Sequence, residues 1–405
     1  MSRYHYGITI REYREKKGMT QAQLADVWPK HDGDIGVSSE YISLVETGKK
    51  HIVDPATLRS LCDVLDIPYW QVGLSEYDPF HPLTFLEKET SMYDETLNTA
   101  ENLIKRTWHL RRVAALPYVE EAVGDLNRLF AYMQEQMPPP FRLTLRFQVL
   151  YAQLLRLNAV MDVENQRYQE ALAKFRQMHT IAVALDHPAT LAIALLGIGT
   201  EVERMGRQQE AIDNLEAARD ESFRASKHVS ALVNAYLARA YASNHQATQF
   251  KRAIDIAQKI ATDIKLYYGD GTDFVFHSLS GILAERSYGY LEIKEPQGTL
   301  NMREEIKRQI ALEGNIWLDA WIPLDWARAH LMLGQIEQCV EAGKEFYQKA
   351  LILQSPHAKS RAVRSLNTLE AVGYGDEQAV QGFRRELEPI PPEMKQGPLI
   401  YDYNP

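Results

Sequence analysis

Cysteine is almost absent. Cys62 and Cys339 are the only two in 405 residues, far apart and each inside an apolar segment, so both read as reduced, buried thiols. A disulfide framework and a cysteine-held zinc are thereby excluded. Long apolar runs are missing too. The opening stretch, MSRYHYGITIREYREKKG, is charged almost from its start and has no segment suited to a signal sequence or a membrane span, so a cytoplasmic protein without membrane contact is expected. Positive charge is the scarcer sign, with 45 Lys and Arg against 54 Asp and Glu for a formal net charge of −9. That balance excludes a chain that coats nucleic acid with its whole surface, yet permits a small reading head on an acidic body. Catalytic spacings are also missing: there is no Gly-x4-Gly-Lys-Ser/Thr, no His-Glu-x-x-His and no Gly-x-Ser-x-Gly, and the 12 histidines are scattered singly. No enzyme, cofactor or metal site is expected. Asp32 to Gly36 starts like a calcium loop, but Ser43 stands where the twelfth-position glutamate is required, so it reads as a polar loop.

What is present divides the chain. Its length suits two or three domains. Pro79 and Pro82, in Tyr77-Asp78-Pro79-Phe80-His81-Pro82, cannot sit inside a helix, which puts a linker at 75–83 between a head at 1–74 and the remainder. Leu97, Ala100, Ile104 and Trp108 have helical spacing, and a second helix runs from about Val119 to Met137 before Pro138-Pro139-Pro140. These two form an expected hairpin connector over 84–140, suited either to packing within the chain or to a dimer interface. Pro389 to Pro405 reads as a Pro-rich tail that caps the last helices or lies in a groove.

In the head, Thr20-Gln21 and Val37-Ser38 each place a good cap before an apolar helical face, Gly48 closes the second of these helices, and Asp54-Pro55 opens another. With Arg11-x-x-Arg14 ending at Gly18, Leu24-Ala25, Ile42-Ser43, Glu46-x-Gly48-Lys49, Leu58, Leu61 and Leu65, residues 8–73 resemble the Cro/CI-type (XRE) helix-turn-helix domain. The resemblance implies a five-helix domain with a recognition helix at about 38–47 in the major groove of double-stranded DNA. It implies Gln21 and Ser38 beside phosphates, Ser39, Glu40, Tyr41 and Ser43 along the reading helix, and Lys49 and Lys50 on phosphate. For Ser38, capping alone is an equal reading. Two features depart from the family: residues 29–35 lengthen the turn before the recognition helix, and positions 1–75 hold nine Lys and Arg against ten Asp and Glu. A head so poor in positive charge predicts weak, salt-sensitive binding singly, and a homodimer that reads two half-sites.

From 142 to 388 strand signals are nearly absent, and a loop followed by a helix with an early small residue recurs at Ala171, Ala211, Ala253 and Cys339. The steps are 40, 42 and 86 residues, so one degenerate unit is expected near Gly298-Thr299-Leu300. Ile198-Gly199 and Trp326-Ala327 supply the large-small step ahead of Gly206 and Gly334. These residues resemble the tetratricopeptide repeat, in units longer than its usual ~34 residues. An all-α protein follows: the helix-turn-helix head, then a tetratricopeptide-like α-solenoid of five or six helix pairs over 141–388. On that register Thr200, Glu203, Tyr236, Arg239, Trp321, Asp325 and Arg328 face inward, as ligand contacts or merely as solvated groups. Trp317 and Trp326 read as core, and the Gly269-to-Asp273 loop as a turn between helices.

Head plus repeats is similar in architecture to the peptide-sensing Rgg/PlcR-type regulators. That resemblance implies a transcription regulator tuned by a peptide or protein in the solenoid groove. The alternative is a scaffold whose head binds protein. Selection of a specific DNA site separates the two.

Overall fold

The computed structural model describes residues 5–29, 35–74, 84–266 and 272–387. The expected linker at 75–83, the tail at 389–405, the Asp32–Asp34 string and most of the Gly269–Asp273 loop lie outside them. The chain divides into two compact units, 1–92 and 93–405.

The first unit holds helices α1 (Tyr6–Lys16), α2 (Gln21–Asp26), α3 (Ser39–Glu46) and α4 (Pro55–Leu65), with a single 3₁₀ turn at Tyr69–Val72 in the fifth place. Caps fix the starts: Thr20 and Gln23 form a reciprocal capping box, Ser38 Oγ accepts from the Tyr41 amide, and Asp54 accepts from Ala56 and Thr57 ahead of Pro55. Ile10, Leu24, Trp28, Ile42, Val45, Leu61 and Leu65 close one small core. Gly7 is required there, because a Cβ at that position would run into the Val45 carbonyl and hold α1 away from α3. The lengthened turn is pinched off at its base: Pro29 and Ile35 form a bridge, the Gly36 amide donates to Trp28 O at 2.9 Å, and the Val37 amide donates to Ala25 O at 2.9 Å. α3 thus starts from a point tethered directly to α2.

α5 (Thr84–Val113) runs from the first unit into the second, where its part from Tyr93 onward and α6 (Leu116–Gln136) share a core with the helices that follow. Six helix pairs come next among the described residues: α7 (Thr144–Glu164) with α8 (Tyr168–Ala184), α9 (Pro188–Arg204) with α10 (Gln208–Ser222), and α11 (Lys227–Ser243) with α12 (Ala247–Asp263). α13 (Leu279–Glu292) is answered by two short helices, α14 (Pro296–Asn301) and α15 (Arg303–Glu313), the degenerate unit expected near Gly298. α16 (Ile316–Met332) with α17 (Ile336–Leu353), and α18 (Pro356–Leu369) with α19 (Gln378–Leu387), complete the array.

The turn inside each of the first five pairs places one residue in left-handed backbone: Gln166, Gly206, His245, Lys294 and Gly334. Counting back eight from the residue after each gives Ala159, Gly199, Ala238, Ser287 and Ala327, all buried small residues where the paired helices cross. Counting forward gives Ala171, Ala211, Phe250, Thr299 and Cys339. The third unit therefore differs from the expected register: Phe250, not Ala253, stands at the crossing. Its ring is accommodated by Gly289 on α13, where any Cβ would collide with it.

The array curls back on itself. Ser355 Oγ at the start of α18 donates to Glu164 Oε2 at the end of α7 (2.7 Å), and Trp317 Nε1 donates to Ala114 O between α5 and α6 (2.9 Å). The concave face of the first helices thus surrounds a central cavity.

Candidate functional site

In the head, α3 has two unlike faces. Ile42, Val45 and Glu46 are buried, whereas Ser39, Glu40 and Thr47 are exposed and Ser43 is half-buried between them in sequence. Glu46 is the polar pivot of the buried side. Arg14 Nε and Nη2 donate to its two oxygens at 2.5 and 3.1 Å, Gln21 Nε2 donates to Oε2 at 2.7 Å, and Arg14 Nη1 also donates to Met19 O at 2.7 Å. Gln21, a candidate phosphate contact, is thereby turned onto α3 and ties α2 to it. Ser38 is a cap. Tyr41 is half-buried, its ring edge-on to Trp28 at 5.5 Å with the Lys50 ammonium 4.6 Å above it, and burial raises its hydroxyl pKa. Lys49 and Lys50 are exposed just beyond the end of α3, and Ser39, Glu40 and Ser43 carry hydroxyl and carboxylate groups on that helix.

In the body, a cavity of about 200 Å³ is walled by α5, α7, α9, α11, α13 and α16. Of the seven candidate ligand contacts, Thr200, Tyr236 and Trp321 line it. Glu203, Arg239, Asp325 and Arg328 meet instead in a buried network beside it. Arg239 Nε lies 3.4 Å from Glu203 Oε2 and its Nη1 3.9 Å from Glu285 Oε2, Arg328 Nη2 donates to Glu292 Oε1 at 2.7 Å, and Ser243 Oγ donates to Glu203 Oε1 at 2.8 Å. Both guanidinium groups also face the Tyr288 ring. Burial opposes charge on Arg239, but Glu203 and Glu285 outweigh it and raise its pKa. Carboxyls fare differently: burial pushes Glu285 up to about 7 against the pull of Arg239, and Asp325 up to about 8 against that of Arg328.

Sequence reasoning missed much of the wall. Arg111 and Arg112 come from α5, Arg156 and Glu164 from α7, Glu201 and Arg204 from α9, His277 from the segment before α13, and Glu285 from α13 itself. Arg111 pairs with Glu164 at 3.1 Å and Arg204 with Glu201 at 3.1 Å. Arg112 donates to Glu313 O, and Arg156 to Phe274 O at 2.8 Å while covering the Trp108 ring. Trp108 in turn stacks on Phe276 at 5.8 Å. Burial lowers His277 to about 4, with Arg156 adding to the effect, so its ring is neutral. The available signal was the repeat register: Tyr236, Glu285 and Asp325 occupy one repeat position, ten residues before the residue that follows each left-handed turn.

Known proteins resemble both parts of the chain. The helix-turn-helix domain family matches residues 5–69. The HTH-type transcriptional repressor RghR of Bacillus subtilis (strain 168) is 38% identical over 64 residues, which are 16% of this chain and 42% of that protein. The chain thus spans less than half the length of that curated relative. In fold, the crystal structure of a Rap protein complexed with Competence and Sporulation Factor aligns at a TM-score of 0.50 and 10% identity, over 74% of this chain and 87% of that one. Bacillus thuringiensis PlcR in complex with the peptide PapR7 and DNA aligns at a TM-score of 0.33 and 13% identity, over 84% and 98%. Residues 5–69 match a helix-turn-helix domain, and the described helices from α7 to α19 form an all-α, tetratricopeptide-like solenoid.

Proposed function

We propose that this chain is a sequence-specific DNA-binding transcription regulator, non-enzymatic and cytoplasmic, whose solenoid takes up a short peptide and whose paired heads read two half-sites as a homodimer. Reading belongs to residues 1–74 and sensing to 141–388, with 84–140 joining them. The observation that carries the reading is α3: one face is locked into the core by Ile42, Val45 and Glu46, while the other leaves Ser39 and Glu40 exposed and ends beside Lys49 and Lys50. The likeness of the head to a repressor supports DNA as its partner. Peptide as the ligand is supported by the cavity on the concave face and by a fold shared with a protein solved with Competence and Sporulation Factor.

Selection from genomic DNA fragments tests it. The full chain should enrich a roughly palindromic site at low and moderate salt, and failure to enrich any site at either salt sinks the reading in favour of a scaffold. Lys49→Ala with Lys50→Ala should weaken binding to every sequence and reduce the salt slope by about two, one for each phosphate that is no longer neutralised. Glu40→Ala should change the preferred base at one position of each half-site, a loss of roughly 1–3 kcal/mol of discrimination. Unchanged preference would show that α3 is not the reading helix.

A further inference from the structure

The cavity wall holds charges that are answered and one that is not. Its four arginines each have an acceptor: Arg111 and Arg204 have carboxylates, Arg112 and Arg156 have backbone carbonyls. Glu285 is different. Its side chain is 1% exposed, and neither of its oxygens accepts a hydrogen bond. The nearest guanidinium, Arg239, stands 3.9 Å away and lies closer to Glu203. His277, on the same wall, has a buried Nε2 that is also without a partner. A buried carboxylate without a donor is costly, and native structures keep such groups where something else completes them.

The surroundings set the sign of what completes it. Beside Glu285 the network sets Glu203 and Glu292 against Arg239 and Arg328, two charges of each sign, so an ionised Glu285 is the charge left over. Another anion would be repelled, and a neutral apolar group would leave both oxygens unmet. An ammonium offers three donors and a guanidinium five, enough to serve both oxygens of Glu285.

We infer that Glu285, on the same cavity wall as His277, is the seat for a cationic group of the bound peptide, an ammonium or guanidinium supplied by its N-terminus or by a Lys or Arg side chain. This rests on the peptide reading above and adds the chemistry the peptide must carry. It also assigns a task to a residue on α13, the helix of the degenerate unit.

Three pools of synthetic heptapeptides test it, with uncharged randomised positions and one fixed position. The first is N-acetylated with citrulline fixed, the second N-acetylated with arginine fixed, and the third has citrulline fixed and a free N-terminus. Retention on immobilised full-length protein is read by mass spectrometry. At least one cationic pool should be retained on the order of tenfold more than the acetylated citrulline pool, as expected for one charge-assisted contact in a buried site. Whichever pool wins identifies the source of the cation. Glu285→Gln should bring that advantage to within about twofold, whereas Glu285→Asp should keep part of it, with unchanged circular dichroism in both. Equal retention of all pools, or an advantage that survives Glu285→Gln, overturns the cation seat while leaving the peptide reading intact. No retention of any pool overturns both.

Discussion

Glu46→Ala is expected to destabilise the head by about 3–5 kcal/mol and to abolish DNA-site selection, although Glu46 is among the buried residues of α3. The carboxylate takes two donors from Arg14 and one from Gln21. Removing it leaves a guanidinium at 7% exposure with the Met19 carbonyl and a single long contact to the exposed Glu15 carboxylate at 3.5 Å, a poorly compensated charge in a domain whose core is about a dozen side chains. Small domains are stable by about 5–15 kcal/mol, so this loss consumes a large part of the margin. Arg14→Lys should also fail to restore the site, because a single ammonium cannot reproduce the two-pronged contact. The double variant Arg14→Met with Glu46→Leu should recover stability, since breaking a buried pair costs far more than replacing it by apolar volume. Hydrogen exchange of the α1 to α3 amides in the full chain reads the effect. If Glu46→Ala exchanges like the parent protein, the ion pair is not what fixes α3.

That pair also marks the limit of what sequence reading reaches. Arg14 and Glu46 each fall at expected motif positions, yet nothing in periodicity says that two charged residues 32 positions apart meet in the core. Caps were legible because they are local: Thr20, Ser38 and Asp54 each act within three residues. The repeat register was legible where glycine marks the turn, at Gly206 and Gly334, and it slipped at His245 and Lys294, which adopt the same left-handed backbone without glycine. Missing the turn at Lys294 meant missing α13, and with it Glu285, Tyr288 and Glu292. The α5 contribution was invisible for another reason, since Trp108, Arg111 and Arg112 reach the cavity only because the solenoid curls round to meet that helix.

The repeat body should lose stability between pH 6.5 and pH 8.5, by on the order of 2 kcal/mol, and Asp325→Asn should remove most of that loss. Asp325 is fully buried on α16, with neither oxygen hydrogen-bonded, and it faces Arg328 from its own helix, Glu285 and Glu292 from α13, and Arg239 from α11. Burial holds its carboxyl up to about 8, and that of Glu285 up to about 7. Above the ordinary carboxyl range the folded chain therefore keeps protons that the unfolded chain has released, and stability falls as pH rises until the folded groups also ionise. Below about pH 6.5 the sign is opposed by His277 and His357, which burial keeps neutral in the folded chain while the unfolded chain takes up protons. The two effects offset each other in mild acid, so the carboxyl contribution is isolated only on the alkaline side. Urea unfolding of the parent protein and Asp325→Asn at pH 6.5, 7.5 and 8.5 reads it directly. A parent protein whose stability rises across that range, or an Asn variant that falls just as steeply, would show that Asp325 is ionised in the folded chain and that Arg239 and Arg328 carry enough positive charge to hold it so.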